Sequence, residues 1–372
     1  MLLIKMNNNS ECMDFLTAQQ ENIILMHYNH TGKLENRPLP SEGLGAIRIV
    51  FMVISCFIVI ENLLVFMAIV NNTRFRSWVY YCIANITLCD LLTGIVYIVN
   101  ICLSGERTFQ ITPTLWFIRE GVLFFALAAS TFSLLITAVE RYATMVRPLP
   151  YASARKTYRV YVLIGLCWLV ASLIGLLPLL GWNCICNFDE CSTLLPLYSK
   201  SYILFCVVMF SIIIVGIVAL YSGIYHLVRN SAKSVSNSKS RQKSVRLLKT
   251  VFMIVAAFVI CWSPLFVLLL LDIFCDSPSC SKLHSMEWTI ALAVINSAIN
   301  PVIYSFGSKE VRRAIIKLLC CCLIKAGAPL PFLSRSESTL GASTDSSYRL
   351  RESFRNSKLL SPKKTLPKSG QQ

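Results

Sequence analysis

Seven stretches of this sequence are long and apolar enough to cross a lipid bilayer, and no other feature narrows the fold as much. A hydrocarbon core of about 30 Å needs about 20 helical residues at 1.5 Å rise each. The stretches cover roughly 46–70, 77–103, 115–146, 160–181, 201–228, 247–272 and 284–306. Composition agrees: 55% of the residues are hydrophobic and 15% charged, against about 25% charged in a soluble domain. A water-soluble fold could not hide so much apolar surface. The expected fold class is an all-α integral membrane protein, a seven-transmembrane helix bundle with a short amphipathic eighth helix.

Charge placement orients the bundle. Of the 35 Lys and Arg, 27 lie on one side and 8 on the other. Basic residues accumulate on the cytoplasmic side, so the N-terminus is expected outside and the C-terminus inside. Five acidic residues lie on the inner side, twelve on the outer side, and Glu61 and Asp90 within the membrane. The formal charge of +16 is therefore a membrane-facing cytoplasmic surface attractive to anionic lipids, not a nucleic-acid footprint. The expected organisation is an extracellular segment and lid over 1–45, the bundle over 46–306, an amphipathic helix with a Cys cluster over 307–322, and a disordered tail over 323–372. The polar N-terminus has no charged-then-apolar leader, so span one is expected to direct targeting, to the plasma membrane. The links between spans are expected to be short, except the third cytoplasmic one.

Several chemistries find no support. Neither C-x-x-C nor H-E-x-x-H occurs among 16 Cys and 4 His, which argues against a metalloenzyme. No nucleophile and base stand at motif spacing, so an enzyme is not expected, and nothing calls for a cofactor. No matching pair of broken helices marks inverted halves, the signature of many transporters.

Polar groups inside the spans are costly and mark function by default. Span one has Glu61-Asn62, and span two has Asn85 and Asp90. Span three has Arg119, Glu120 and Ser130 and ends in Glu140-Arg141-Tyr142. Span six carries Cys261-Trp262-Ser263-Pro264. Span seven carries Glu287, Asn296, Ser297 and Asn300-Pro301-Val302-Ile303-Tyr304. Any one alone reads as an interhelical hydrogen bond. Together with Trp168 they resemble the rhodopsin-like G-protein-coupled receptors over residues 46–320.

That resemblance implies roles. Pro264 and Pro301 remove a backbone donor and kink their helices. Asp90, Ser130, Asn296 and Asn300 would form a polar pocket able to hold a sodium ion; no other metal is implied. Arg141 would pair with Glu140 when inactive, then turn toward a heterotrimeric G protein, with Tyr221 and Tyr304 supporting the open state. Two departures mark a subgroup. Trp116 stands where most of the class have a Cys tying helix three to the second outer loop. Span five has no proline, none occurring between Pro196 and Pro264.

The sphingosine-1-phosphate receptors share both departures. The resemblance to them runs through His27-Tyr28-Asn29-His30-Thr31-Gly32-Lys33-Leu34, Trp116-Phe117-Ile118-Arg119-Glu120-Gly121, Gly181-Trp182-Asn183-Cys184 and Cys191-Ser192-Thr193-Leu194-Leu195-Pro196-Leu197-Tyr198. One branch of that family is suggested by Trp78-Val79-Tyr80-Tyr81-Cys82, by Cys186 with Phe188-Asp189, and by the tail's Gly341-Ala342-Ser343-Thr344-Asp345-Ser346-Ser347. The chemistry independently suits a zwitterionic lipid. Arg119 offers bidentate phosphate contacts and Glu120 a carboxylate to an ammonium. Asn100 and Glu287, at outer helix ends, would add polar contacts. By resemblance, the N-terminal segment folds over the pocket and brings Tyr28 and Lys33 to the phosphate. Phe124, Leu127, Phe210, Trp262, Leu265, Phe266 and Leu269 would line the alkyl-tail pocket, although each also reads as ordinary core.

The second outer loop has Cys184, Cys186 and Cys191, which leaves three pairings open; the resemblance favours Cys184–Cys191, with Cys186 free or partnered elsewhere. Cys275 and Cys280 are expected to close a small ring. Asn29 is an exposed glycosylation sequon and Asn8 a weaker one. Lys309 to Leu319 alternates basic and apolar residues like an interfacial helix, and Cys320, Cys321 and Cys322 after it look like palmitoylation sites. Tail serines such as Ser336 and Ser353 would be phosphorylated by receptor kinases and recruit arrestin. Two other readings remain in view: a receptor for a related lipid such as lysophosphatidic acid, and an ion-coupled transporter using Asp90, Arg119 and Glu120 as its relay. The odd span count and the Glu-Arg-Tyr triplet argue against the transporter.

Overall fold

The computed structural model describes residues 22–31, 42–72, 75, 78–146, 154–234, 238–274, 287–307 and 309–325. Nine α-helices are found among the described residues: α1 Ile23–His30, α2 Glu42–Val70, α3 Trp78–Cys102, α4 Pro113–Val146, α5 Ala154–Leu176, α6 Lys200–Ser234, α7 Ser238–Phe274, α8 Glu287–Gly307 and α9 Lys309–Lys325. The seven helices α2 to α8 each contain a segment long and apolar enough to span a bilayer. The protein is a multi-pass membrane protein.

The helices close into a ring. Helix α2 packs on α3 and α8, α3 on α4, α6 on α7, and α7 on α8, while α4 also meets α5 and α6. Helix α4 is therefore the central post, and it is the helix that carries Arg119 and Glu120. Val53, Phe57, Ile212, Val215 and Ile260 point outward, apolar side chains that suit lipid rather than water. Membrane helices gain little from apolar burial against one another and rely on close backbone approach. At one crossing that approach is extreme. A Cβ on Gly121 would lie 2.5 Å from the Gly175 carbonyl oxygen, and one on Gly175 2.6 Å from that of Gly121. Only glycine on both sides lets α4 and α5 touch there, one residue from Glu120.

Polar clasps fix the register of the bundle. Asn85 donates to Ser133 Oγ at 2.6 Å and accepts from Trp168 Nε1 at 2.9 Å, joining α3, α4 and α5. Asn62 donates to the Ser297 carbonyl at 3.1 Å, joining α2 to α8. Proline falls inside α7 at Pro264 and inside α8 at Pro301. Each removes one rung of the helix ladder.

Three boundaries differ from the sequence expectation. Helix α5 ends at Leu176 rather than near 181, because Pro178 lacks a donor and disfavours helix in the residue before it. Helices α6 and α7 run well past the apolar stretch, over 229–234 and 238–246, in place of the expected loop. Lys, Arg and Gln there are good helix formers once a helix is nucleated. Helix α9 reaches Lys325 and includes Cys320, Cys321 and Cys322 in its last two turns.

Candidate functional site

The outer end of α4 carries a nearly buried ion pair. Arg119 Nη2 lies 2.6 Å from Glu120 Oε1, with side-chain exposures of 5% and 12%. Arg119 Nε donates to the same oxygen at 2.9 Å, and Asn100 Nδ2 of α3 reaches it at 3.3 Å. Arg119 Nη1 donates to the Leu103 carbonyl at 2.9 Å and to Thr108 Oγ1 at 3.4 Å. Its guanidinium carbon lies 4.2 Å over the Trp116 ring. The guanidinium is thus held in a fixed plane by the link after α3 and by its own helix. The pair is neutral overall, and it can exchange its internal contact for a phosphate on one side and an ammonium on the other.

The N-terminal helix α1 lies beside this pair. A helix of eight residues is marginal alone, so tertiary contacts must hold it. Asn22 caps it by accepting from Leu25 N at 3.1 Å, and its amide bonds the Phe109 carbonyl. The Tyr28 ring meets Phe109 edge-on at 5.2 Å. Since Arg119 bonds Thr108 and Tyr28 packs on Phe109, the two converge on neighbouring residues of one short 3-10 helix, Gly105–Gln110. On the opposite side, His27 packs on Phe188 at 5.6 Å, and His30 lies 3.6 Å from Asp189. The segment therefore bridges the first and second outer loops.

The second outer loop is clamped at several points. Cys184 and Cys191 are disulfide-bonded with Cα atoms 5.4 Å apart. Cys186 is also disulfide-bonded, to a partner outside the described residues. Trp116 Nε1 donates to the Pro196 carbonyl at 3.2 Å, so a hydrogen bond ties helix to loop where most of the class have a disulfide. Leu197 takes φ +66°, a conformation costing a non-glycine residue about 1–3 kcal/mol, and is fully buried. This turn drives Tyr198 into the bundle, 5.6 Å from both Phe117 and Phe124. Burial pushes the Tyr198 phenol well above its ordinary range, and the Glu120 charge pushes the same way. Asp272 of α7, fully buried, accepts from Thr193 N at 3.0 Å and from the Ser192 and Thr193 hydroxyls. The loop and the outer end of α7 are thereby fastened together.

Below the ion pair the site becomes apolar. Phe124 and Leu127 follow Glu120 on α4 by about 6 and 10 Å. The Phe210 ring stacks on Trp262 at 5.6 Å, and Trp262 stacks on Phe266 at 5.7 Å. Leu265 and Leu269, one and two turns on, join the same apolar cluster. Trp262 Nε1 is buried without a hydrogen-bond partner among the described residues.

In the inner half, Asp90 Oδ1 accepts from Ser130 Oγ at 2.6 Å and Ser297 Oγ at 2.9 Å, and Oδ2 from Asn300 Nδ2 at 2.8 Å. The neighbour from α8 is Ser297, not the expected Asn296, which is buried nearby. Ser297 and Asn300 are three apart on α8 and share a face. The second correction concerns the Glu-Arg-Tyr triplet. Glu140 Oε2 pairs with Arg159 Nη2 of α5 at 2.7 Å, not with Arg141. Successive helical residues point about 100° apart; Glu140 faces inward and is 1% exposed. Tyr221 and Tyr304 are both buried, and the Tyr304 hydroxyl has no hydrogen-bond partner among the described residues.

The structure thus brings Arg119, Glu120 and Asn100 into contact and packs Tyr28 on Phe109, next in sequence to the Thr108 that Arg119 bonds; Phe124, Leu127, Phe210, Trp262, Leu265, Phe266 and Leu269 are part of the general apolar core of the bundle. Lys33, Asn8, Cys275, Cys280, Ser336 and Ser353 lie outside the described residues, as do the side chains of Glu287, Cys320, Cys321 and Cys322. Asn29 is exposed on α1. Sequence reasoning missed Asp272 and Arg159, and named Ser297 without joining it to Asp90. A lone acid ending an apolar helix was the available sign for Asp272.

A ring of seven membrane helices with a polar pair at its outer mouth and a charged triplet at its inner end defines a seven-helix receptor. Residues 61–304 match the family described as 7 transmembrane receptor (rhodopsin family). Over 346 residues the chain is 55% identical to sphingosine 1-phosphate receptor 4 of Mus musculus, covering 91% of this chain and 89% of the relative. The Homo sapiens receptor 4 is 53% identical over 94% of this chain and 93% of its own length. Sphingosine 1-phosphate receptor 3 of Takifugu rubripes is 49% identical over 80% of this chain and 78% of its own. The chain belongs to the sphingosine 1-phosphate receptors, within the rhodopsin family, and among them it is most like subtype four.

Proposed function

We propose that this chain is a plasma-membrane receptor for sphingosine 1-phosphate, with its N-terminus outside the cell, that activates heterotrimeric G proteins. The observation that carries the ligand assignment is the Arg119–Glu120 pair, one cation and one anion on the same helix as the apolar residues Phe124 and Leu127. Arg119 takes the phosphate and Glu120 the ammonium, so the lipid exchanges one internal ion pair for two. Asn100, Tyr28, Lys33 and Glu287 add contacts around the head. The tail runs toward Trp262 past Phe124, Leu127, Phe210, Leu265, Phe266 and Leu269. Transfer from water would release about 0.8 kcal/mol per methylene. The lipid arrives from membrane, however, so the head group selects the ligand and the tail acts on Trp262.

On the inner side Arg141 engages the G protein, with Tyr221 and Tyr304 supporting the open state. Inhibitory and twelve/thirteen-type G proteins are the partners proposed. Receptor kinases and arrestin act on the tail serines. Asp90 with the hydroxyl oxygens of Ser130 and Ser297 offers a hard, oxygen-only donor set, and a buried carboxylate with no basic side chain bonded to it suits a sodium ion; bound there, the ion would supply the positive counter-charge that Asp90 lacks.

Competition binding of sphingosine 1-phosphate and lysophosphatidic acid to wild type and Glu120→Gln tests the ligand reading. Glutamine keeps the shape and an acceptor oxygen but loses the charge. The expected result is weaker sphingosine 1-phosphate and stronger lysophosphatidic acid binding. Equal shifts for both lipids would contradict the role of Glu120.

A further inference from the structure

The inner end of α4 holds two adjacent charges with different fates. Glu140 is buried, and its Oε2 lies 2.7 Å from Nη2 of Arg159 on α5. Arg141 makes no ion pair with any described residue, and the acid beside it in the chain is Glu140 itself, one residue earlier on the same helix. One buried carboxylate thus stands between two arginines, and Arg159 holds it. A buried anion left without its cation is costly, so a chain lacking Arg159 would recruit Arg141 in its place.

We propose that Arg159 is a positioning residue for signalling: by holding Glu140, it withholds that carboxylate from Arg141 and raises the share of unliganded receptors whose Arg141 is available to a G protein. This inference rests on the reading of the chain as a G-protein-activating receptor. The geometry supports it from both sides. Arg159 comes from a neighbouring helix, so holding Glu140 does not require Arg141 to turn. The side chain of Arg159 is 45% exposed, so nearly half of it faces outward and its loss opens no closed cavity.

The test is nucleotide exchange on an inhibitory G protein by full-length receptor in lipid nanodiscs, without ligand and with saturating sphingosine 1-phosphate. Arg159→Ala should lower unliganded exchange about fivefold, the lower end of measured couplings between sites, while the liganded maximum stays near wild type. Arg159→Lys, which keeps the charge, should stay close to wild type. The double variant Arg159→Ala with Glu140→Gln should recover or exceed wild-type unliganded exchange, because no carboxylate remains to capture Arg141; a merely structural role for Arg159 would instead lower the liganded maximum, the lipid affinity and the thermal unfolding midpoint of Arg159→Ala together with its unliganded exchange. Unchanged unliganded exchange in Arg159→Ala, or a double variant as low as the single one, overturns the inference while the lipid response of wild type stands. A wild type that exchanges with neither lipid nor without it overturns the receptor reading and this inference together.

Discussion

Arg119 makes five contacts that a shorter side chain cannot replace: Glu120 twice, the Leu103 carbonyl, Thr108 and the face of Trp116. Arg119→Ala leaves Glu120 as a nearly buried carboxylate without its cation and removes the proposed phosphate anchor. Truncating one partner of a desolvated charge pair costs about 2–5 kcal/mol, which corresponds to roughly 30-fold to several-thousand-fold in affinity. Radioligand saturation binding with surface expression matched should show that loss; an affinity within threefold of wild type would remove Arg119 from the site. Much of this residue-level chemistry was legible in the sequence, because Arg and Glu are too costly in an apolar span to sit there without a polar task. Partner choice was not. Adjacency made Arg141 the obvious mate for Glu140, but helical geometry turns neighbours apart and lets Arg159, 19 residues on, arrive from the next helix. Ser297 displaced Asn296 for the same reason: the rotation of α8 decides which side chain meets Asp90.

At the scale of elements, the second outer loop is the part least like a simple connection. Its disulfide closes a ring of seven-residue separation, and removing a ring of that size costs about 2–3 kcal/mol in chain entropy. Cys184→Ala and Cys191→Ala should each lower the thermal unfolding midpoint of the solubilised receptor and weaken lipid binding. The effect on binding arises because Leu197 and Tyr198 are placed by the same ring, through the Cys184 N to Leu197 O bond at 3.3 Å. A midpoint and affinity both unchanged would show that Asp272 and Trp116 suffice to hold the loop. Span positions were readable to within a few residues for α2, α3 and α4, where apolar length alone decides. Helix α1 was invisible to that logic, since its order comes from Phe109, Phe188 and Asp189 rather than from its own eight residues. The helical extensions of α6 and α7 were hidden for the opposite reason: their polar composition fits helix and loop equally.

At the scale of the whole molecule, the Arg119–Glu120 pair near one end of α4 and Arg141 near the other are joined by one helix of 34 residues, about 50 Å long. The outer loop is fastened to α7 through Asp272, and α7 carries both Trp262 and Pro264. Ligand binding and signalling are therefore separable by mutation at opposite ends. The most direct measurement is nucleotide exchange on purified G proteins across a panel of lysophospholipids, using wild type, Arg119→Ala and Arg141→Ala at matched surface density, with lipid binding measured in parallel. Sphingosine 1-phosphate should be the strongest agonist of wild type. Arg119→Ala should lose both binding and exchange, whereas Arg141→Ala should bind the lipid normally yet drive no exchange. A wild type that responds to no zwitterionic lysophospholipid, or an Arg141→Ala receptor that exchanges normally, would contradict the assignment of ligand and signalling to opposite ends of α4.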